Sequence, residues 1–239
     1  MEEVLSFGTV VKGSRLTQPL QLSNFGDVKA DYRWDASAYK PHFTITPEAG
    51  YINPNSNLDL QVTFHPTVKD DDIRCNKIKC DIKGGEPLFL SLMGKCKEHD
   101  ESANSLDFQA VVRKSQKKEV LIKNEEDKEW VINPTISTES AAWDGYFVGK
   151  TSFTVPAKSQ GKYEVTYQPK TMTKKNDQDQ MDTHRANLFF PKPNGTAEIY
   201  KLSGIATEPE PENILQETVQ AKKAKFIIFP VDNWLKVPQ

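Results

Sequence analysis

The residues able to do chemistry are few and scattered. Cys75 and Cys80 are separated by four residues, and His65 and Cys96 lie elsewhere. A structural zinc site asks for paired ligands at both ends, typically one Cys pair matched by a second pair. Only one end is present, and Cys80 alternates with Ile78 and Ile82 as a small core residue would. Asp70-Asp71-Asp72 offers carboxylates for a cation. Calcium loops space their ligands around a glycine turn, so three adjacent aspartates read as a solvated loop. Asn194-Gly195-Thr196 matches a glycosylation sequon, but Asn-Gly is also the preferred two-residue hairpin turn, and the hairpin is the expectation. His42, His65, His99 and His184 fall in no nucleophile elbow, zincin or phosphate-loop pattern. The lysines at 114, 117 and 118, and Lys174-Lys175, have the type needed to meet an acidic protein surface and the spacing of ordinary loop charge. No catalytic, cofactor-binding or metal-binding residue is expected, and the chain is read as non-enzymatic.

The elements that carry these residues follow from periodicity. The organising stretch is Gly50 to Ser56 followed by Leu58 to Pro66. Leu58, Leu60, Val62 and Phe64 alternate with Asp59, Gln61, Thr63 and His65, the pattern of a strand buried on one face. Pro66 cannot donate to a ladder and ends it. The same phrase returns as Phe153 to Ser159 and Tyr163 to Pro169. Phe64 matches Tyr167 at an offset of 103, Leu5 matches Leu106 at 101, and Gly94 matches Gly204 at 110. A repeat of about one hundred residues is a domain rather than a solenoid unit of roughly 20–50.

Seven short strands per copy, turns between them and no helical pattern predict an all-β protein of two tandem antiparallel Ig-like sandwiches. In the first copy the strands are anchored by Leu5 and Phe7, by Leu20 and Leu22, by Ala30, Tyr32 and Trp34, and by Phe43 and Ile45. The organising strand, the Ile78–Ile82 strand and Leu88 to Met93 complete it. Pro47 to Gly50 reads as a turn, Thr67 to Arg74 as a polar loop and Lys83 to Glu86 as a hairpin. The second copy places Val120 and Ile122, Trp130 and Ile132, and Phe147 in equivalent strands, with an irregular stretch around Trp143. Thr171 to Arg185 reads as a mobile loop. The boundaries are 1–97 for the first sandwich, 98–104 for a charged linker, 105–208 for the second sandwich, and 209–239 for a stiff Glu-Pro spacer and the start of a further repeat.

Composition narrows the partners. The chain carries 31 Lys+Arg against 33 Asp+Glu, and neither half is basic, which removes general affinity for nucleic acid or an acidic membrane. No apolar run approaches the roughly 18 residues of a membrane span. The acidic start lacks a signal-peptide core, and three cysteines, Cys75, Cys80 and Cys96, are an odd and sparse set that suits a reducing compartment. Neither a cofactor nor a small-molecule substrate is expected. The free edges, Phe7 to Val11 and Leu88 to Met93, are candidates for β-augmentation by a partner strand. Phe226, Phe229, Val231 and Trp234 lie outside both copies and form the candidate protein-binding set. Phe226 to Val231 is expected to dock as an added strand on a sandwich edge, of its own chain or a neighbour's, with Trp234 covering apolar surface, in a chain that reads as a fragment cut inside a third repeat.

These residues resemble the ASH domain, a relative of the major sperm protein (MSP) and PapD-type Ig-like sandwiches. The likeness is carried by Leu5-x-Phe7-Gly8-x-Val10, Leu20-x-Leu22-x-Asn24-x-Gly26, Tyr32-x-Trp34, Gly50-x-Ile52-x-Pro54-x-Ser56, Phe64-x-Pro66 and Leu92-x-Gly94. The second copy keeps Phe108, Asn124, Val155-Pro156, Ser159, Tyr167-x-Pro169 and Leu202-x-Gly204. It has Gln109 where the first has Gly8, and lacks the glycine after Asn124. The tail from Pro230 looks like the opening of another repeat in the large multi-ASH proteins of motile cilia, Hydin and the cilia- and flagella-associated proteins. The resemblance implies a structural, protein-binding module of the cytoskeleton, in the axoneme of a cilium or flagellum and needed for its motility. It places the module in the central-pair apparatus, with other axonemal proteins, and tubulin among them, as partners. The alternative it implies is a trafficking or organelle-contact adaptor that binds short peptide motifs through an MSP-like face, against which the balanced charge of the first copy weighs.

Overall fold

A computed structural model describes residues 2–99, 104–174, 182–209, 211, 214–231 and 233. The strands of the first copy are β1 (Glu2–Val11), β2 (Leu16–Asn24), β3 (Ala30–Trp34), β4 (Phe43–Thr46), β5 (Ala49–Ile52), β6 (Ser56–Phe64), β7 (Asp70–Ile82) and β8 (Leu88–Lys97). Those of the second are β9 (Asn104–Val111), β10 (Gln116–Asn124), β11 (Trp130–Ile132), β12 (Thr135–Thr138), β13 (Phe147–Gly149), β14 (Phe153–Val155), β15 (Ser159–Tyr167), β16 (His184–Pro191) and β17 (Ala197–Thr207). Two single-turn 3-10 helices, Ala36–Ala38 and Ala141–Trp143, are the only helical segments among the described residues.

Each copy is a two-layer sandwich with its own core. In the first, the sheet β1-β8-β7-β3-β5 packs on β2-β6-β4. In the second, β12-β16-β17-β9 packs on β10-β15-β13, with β11 and β14 as a further pair. All pairings are antiparallel except one per copy: the first strand lies parallel to the last, β1 on β8 and β9 on β17. That pairing takes both ends of a copy to close one sheet, so neither copy is complete without its first strand.

The organising strand lies as its alternation predicts, with Leu60, Val62 and Phe64 fully buried in the first copy and Tyr163, Val165 and Tyr167 in the second. Phe64 stacks on Phe43 at 4.7 Å and meets Phe7 at 5.7 Å. Tyr167 stacks on Phe147 at 4.8 Å and meets Phe108 at 5.8 Å. Above each ring lies a glycine of the last strand. A Cβ on Gly94 would stand 2.5 Å from the Phe64 ring, and one on Gly204 would collide with the Tyr167 ring. The matched glycines are therefore clearance for the matched aromatics.

The repeated asparagine has one task in both copies. Asn24 donates to the carbonyls of Val28, Ile52 and Asn53, and its Oδ1 accepts from the Gly26 N–H. Asn124 donates to Lys128, Val155 and Pro156 and accepts from Glu126. Only the backbone N–H two residues on is used, which explains why the second copy dispenses with the glycine there. Gly8, with φ of 61°, sits in the irregularity of β1 between Ser6 and Thr9. β9 runs on β17 without a register shift, so Gln109 has no bulge to accommodate.

Several sequence expectations are corrected. Leu88 to Met93 is not an edge: β8 lies between β1 and β7. The Pro47–Gly50 turn gives way to β5, which pairs with β3 and places Gly50 against the Tyr32 ring. The polar loop from Thr67 ends early because β7 starts at Asp70, with Ile73 buried between solvent-facing neighbours. β12 is an additional strand on the second copy's sheet. Within Thr171 to Arg185, residues 175–181 lie outside the described part. Thr171 hydrogen-bonds the Tyr146 hydroxyl, Thr173 pairs with Ala206, and His184 opens β16 in the core.

His184 marks where the copies differ chemically. It faces Gly204 across the sheet as Ile73 faces Gly94. The apolar Phe64–Ile73 neighbourhood thus becomes Tyr167 and His184 in the second copy, hydrogen-bonded at 2.7 Å and buried. Burial, opposed by Asp182, lowers the His184 pKa from its ordinary value and pushes the Tyr167 hydroxyl up.

Two outcomes follow. Gly94→Ala is expected to destabilise the first sandwich by about 1–3 kcal/mol through overpacking. Phe64→Leu in the same chain should recover part of that loss, a non-additivity that a urea-unfolding double-mutant cycle reads directly. A histidine whose folded pKa lies below its unfolded value contributes stability above the unfolded pKa that is lost as pH falls. The urea midpoint of the second sandwich should therefore drop as pH is lowered through about 6.5, and His184→Ile should flatten that dependence.

Candidate interaction surfaces

The candidate metal ligands are held apart by the fold. Cys80 pairs with Leu88 and Cys96 with Asp70, so the two thiols lie at opposite ends of the β7–β8 ladder. All three cysteines are free, and burial raises their pKa values, that of Cys80 to about 11. Among the described residues no three His, Cys, Asp or Glu side chains gather as metal ligands. Asp70 accepts from the Asp72 N–H, and Asp72 pairs with Arg74. His65 bonds Thr44 at 2.8 Å, His99 lies edge-on to Phe189, and His184 is in the second core. Of the lysines, Lys117 pairs with Glu164 at 2.9 Å and Lys118 sits 5.7 Å from the Phe108 ring. Both are engaged with their own sandwich.

Phe226, Phe229 and Val231 are 92%, 60% and 88% exposed and belong to no strand. The expected docking of this run on an edge of its own chain is not seen, and Trp234 lies outside the described residues. The run is an exposed apolar segment. Its Ile227-x-Phe229 spacing repeats Leu5-x-Phe7 and Leu106-x-Phe108, the residues that seat the first strand of each sandwich.

Four of the free sheet edges, β1, β2, β9 and β10, are blunted. β1 carries the Gly8 irregularity, and Gln18 caps its Ser6 carbonyl at 2.9 Å. On β9, Gln116 accepts from the Gln109 N–H. β2 has Pro19 in its middle and β10 carries Lys117, Lys118 and Lys123.

The most developed contact surface joins the two sandwiches, and the sequence reading, which placed only a charged linker at 98–104 between them, did not find it. The β16–β17 hairpin seats itself in the turn between β1 and β2. Ser14 is 2% exposed, and its hydroxyl lies 2.9 Å from the Lys192 carbonyl and 2.8 Å from that of Thr196. The Val11 N–H donates to the Gly195 carbonyl at 2.8 Å, and Leu16 bridges Asn194. Gly13 lies under the Phe189 ring, and Gly195, with φ of +83°, leaves 3.0 Å between its missing Cβ and Val10. Asn194-Gly195 is thus the hairpin turn expected from sequence, and its tip is buried against the other sandwich. The contacts span some 180 residues of chain. Two separate small-residue turns gave no local signal that they meet.

Beside this joint a cleft of about 930 Å³ opens between the sandwiches, with Arg15, Thr17 and Gln61 on one wall and Lys128, Glu129 and Trp130 on the other. Lys192 and Glu198 form a half-buried ion pair in a separate pocket that also borders Trp130, with Lys192 5.6 Å over the Trp130 ring. The walls carry both charges and no nucleophile–base pair.

Comparison with known proteins gives consistent relatives. Residues 4–101 match the family model described as CFAP65, fourth Ig-like domain. The whole chain is 34% identical to the human hydrocephalus-inducing protein homolog over 239 residues, which is 4% of that protein's length, and 35% identical to the mouse protein over the same span. Human cilia- and flagella-associated protein 65 is 33% identical over 99 residues, 41% of this chain and 5% of that protein. Among solved structures, the ASH / PapD-like domain 7 of human CEP192 covers 42% of this chain and 84% of that one, at 17% identity and a TM-score of 0.35. The chain spans about 4% of the length of the curated relatives that match it throughout.

The joint predicts shared tumbling. NMR relaxation should return one rotational correlation time for both sandwiches, and Ser14→Leu, which overfills a buried site, should split it into two shorter ones while each sandwich keeps its own amide spectrum.

Proposed function

From a similarity to hydrocephalus-inducing protein that runs the length of the chain, we propose that this pair of Ig-like sandwiches is a non-enzymatic structural block of a ciliary or flagellar protein. It lies in the axoneme, in the central-pair apparatus, and serves motility. Its partners are other axonemal proteins, tubulin among them. The observation that carries the reading is the joint: two sandwiches are set at one orientation by a buried hydroxyl, a backbone hydrogen bond and an interdomain β-bridge. A chain that positions partners along a filament system needs fixed spacing, and burying Ser14 between two carbonyls supplies it without a long hydrophobic interface. Phe226, Phe229 and Val231, with Trp234, form the protein-binding segment. An exposed apolar run of this kind is stabilised when another surface removes it from water, at roughly 25 cal/mol per Å² buried.

The test is expression of the tagged chain in ciliated cells. Retention in the axoneme after detergent extraction is expected, with loss from axonemes that lack the central pair. Phe226→Asp with Phe229→Asp should reduce retention several-fold while leaving the unfolding midpoint unchanged. A tag that extracts fully with detergent would refute the axonemal reading. Retention without a central pair would refute only the finer placement.

A further inference from the structure

The joint is head to tail. The hairpin end of the second sandwich plugs the turn end of the first, so the two halves of the interface are different surfaces, and a contact of this type can recur along a row of similar units. The first sandwich has a hairpin end too. Its β7–β8 hairpin matches the β16–β17 hairpin in length and flanking register: Cys80 pairs with Leu88 as Phe190 pairs with Glu198, although the left-handed residue is Gly84 in the first and Gly195, one position further on, in the second. Gly85 donates to the Ile82 carbonyl at 3.1 Å as Gly195 donates to that of Lys192 at 3.2 Å. By position along the hairpin, the carbonyls that receive Ser14 and Val11 in the existing joint correspond to those of Ile82, Gly85 and Glu86, on a tip whose left-handed residue is shifted by one.

In this chain that hairpin is open. Residues 83 to 89 are all exposed, including Leu88 at 41% and Phe89 at 39%. The ring that Phe189 lays on Gly13 has Lys79 as its equivalent, but Lys79 is the cross-strand partner of Phe89. Cross-strand partners share a face, so the first sandwich offers an aromatic one strand over from where the second uses one.

We infer that the Lys83–Pro87 hairpin is a second plug, built to seat in the β1–β2 turn of another Ig-like sandwich. The partner is defined by what the existing joint requires: a glycine in the left-handed region followed by a buried serine, as Gly13 (φ 79°) and Ser14 are here. The equivalent turn of the second sandwich does not meet that requirement. Arg113, at φ 70°, and Lys114 stand where Gly13 and Ser14 stand, as shown by their matching hydrogen bonds to Pro169 and Val111. Two copies of this chain are therefore not expected to join through these ends, and the mismatch provides the control. The inference does not depend on the ciliary reading.

The experiment rewrites that turn in the full chain. Arg113→Gly with Lys114→Ser gives the second sandwich the turn that the hairpin requires. Its weight-average mass in sedimentation equilibrium should then rise with concentration, and the amide resonances of Gly84, Gly85 and Glu86 should shift, while the parent chain shows neither. Adding Gly85→Trp at the exposed hairpin should abolish both effects. Lys114→Ser alone, which keeps Arg113, covers the case in which the double variant folds poorly and should associate more weakly. A rewritten chain that stays monomeric with unshifted hairpin amides would overturn the proposal. So would association that survives Gly85→Trp.

Discussion

The structure depends on a single close approach made twice: an aromatic ring at the end of the organising strand, lying under a glycine of the last strand. Phe64 with Gly94, and Tyr167 with Gly204, pin one sheet to the other at the point where the first strand also arrives. The ring fills the volume that a side chain on the last strand would take. With a Cβ there, the sheets would have to separate or the ring would leave its rotamer, and closely packed interiors accommodate neither cheaply. Three rings from three strands meet at this point in each copy, so strand order and strand register are set together.

That constraint tolerates a change of chemistry that a purely apolar core would resist. In the second copy the ring gains a hydroxyl and the neighbouring isoleucine becomes histidine. A buried hydroxyl or imidazole alone would be costly, but the two satisfy one another at 2.7 Å. The exchange is therefore correlated: either substitution alone leaves a polar atom without its partner. Two cores of the same shape are expected to differ in their response to acid, because one of them holds a histidine whose pKa burial lowers.

Much of the fold was legible in the sequence, because period-two alternation and the repeated glycine and asparagine report local geometry. The buried face of β6 and β15, the copy length and the Asn-Gly hairpin could all be read from residues within a few positions of one another. What escaped was non-local. The parallel closure of β1 on β8 joins residues some ninety apart, and nothing in either strand's composition distinguishes a centre from an edge. β5 was hidden because Pro47 and Gly50 read as turn residues, although the glycine serves to pass the Tyr32 ring. His184 sat in a segment so rich in charge that its burial had no local cue. The candidate site was legible only as an apolar run, Phe226 to Val231, and its exposure follows from the absence of any described strand beside it.

The joint was the least legible feature, and it changes how the linker is understood. A short charged connection between two sandwiches restricts their separation but not their rotation, since backbone torsions in a few residues permit many orientations. Orientation here comes from side and end surfaces: a hairpin tip with its carbonyls turned outward and a turn that supplies one hydroxyl and one N–H. Each donor reaches an acceptor that is already part of a hairpin, so docking adds hydrogen bonds without unmaking any. Gly13 and Gly195 let the two backbones come close enough for those bonds to form. Because the two surfaces differ, the arrangement has a direction. The second sandwich's turn, with arginine and lysine in place of glycine and serine, shows that one fold repeated in one chain can carry different end chemistries. The order of units in a row can then be written in the turn residues while the cores remain interchangeable.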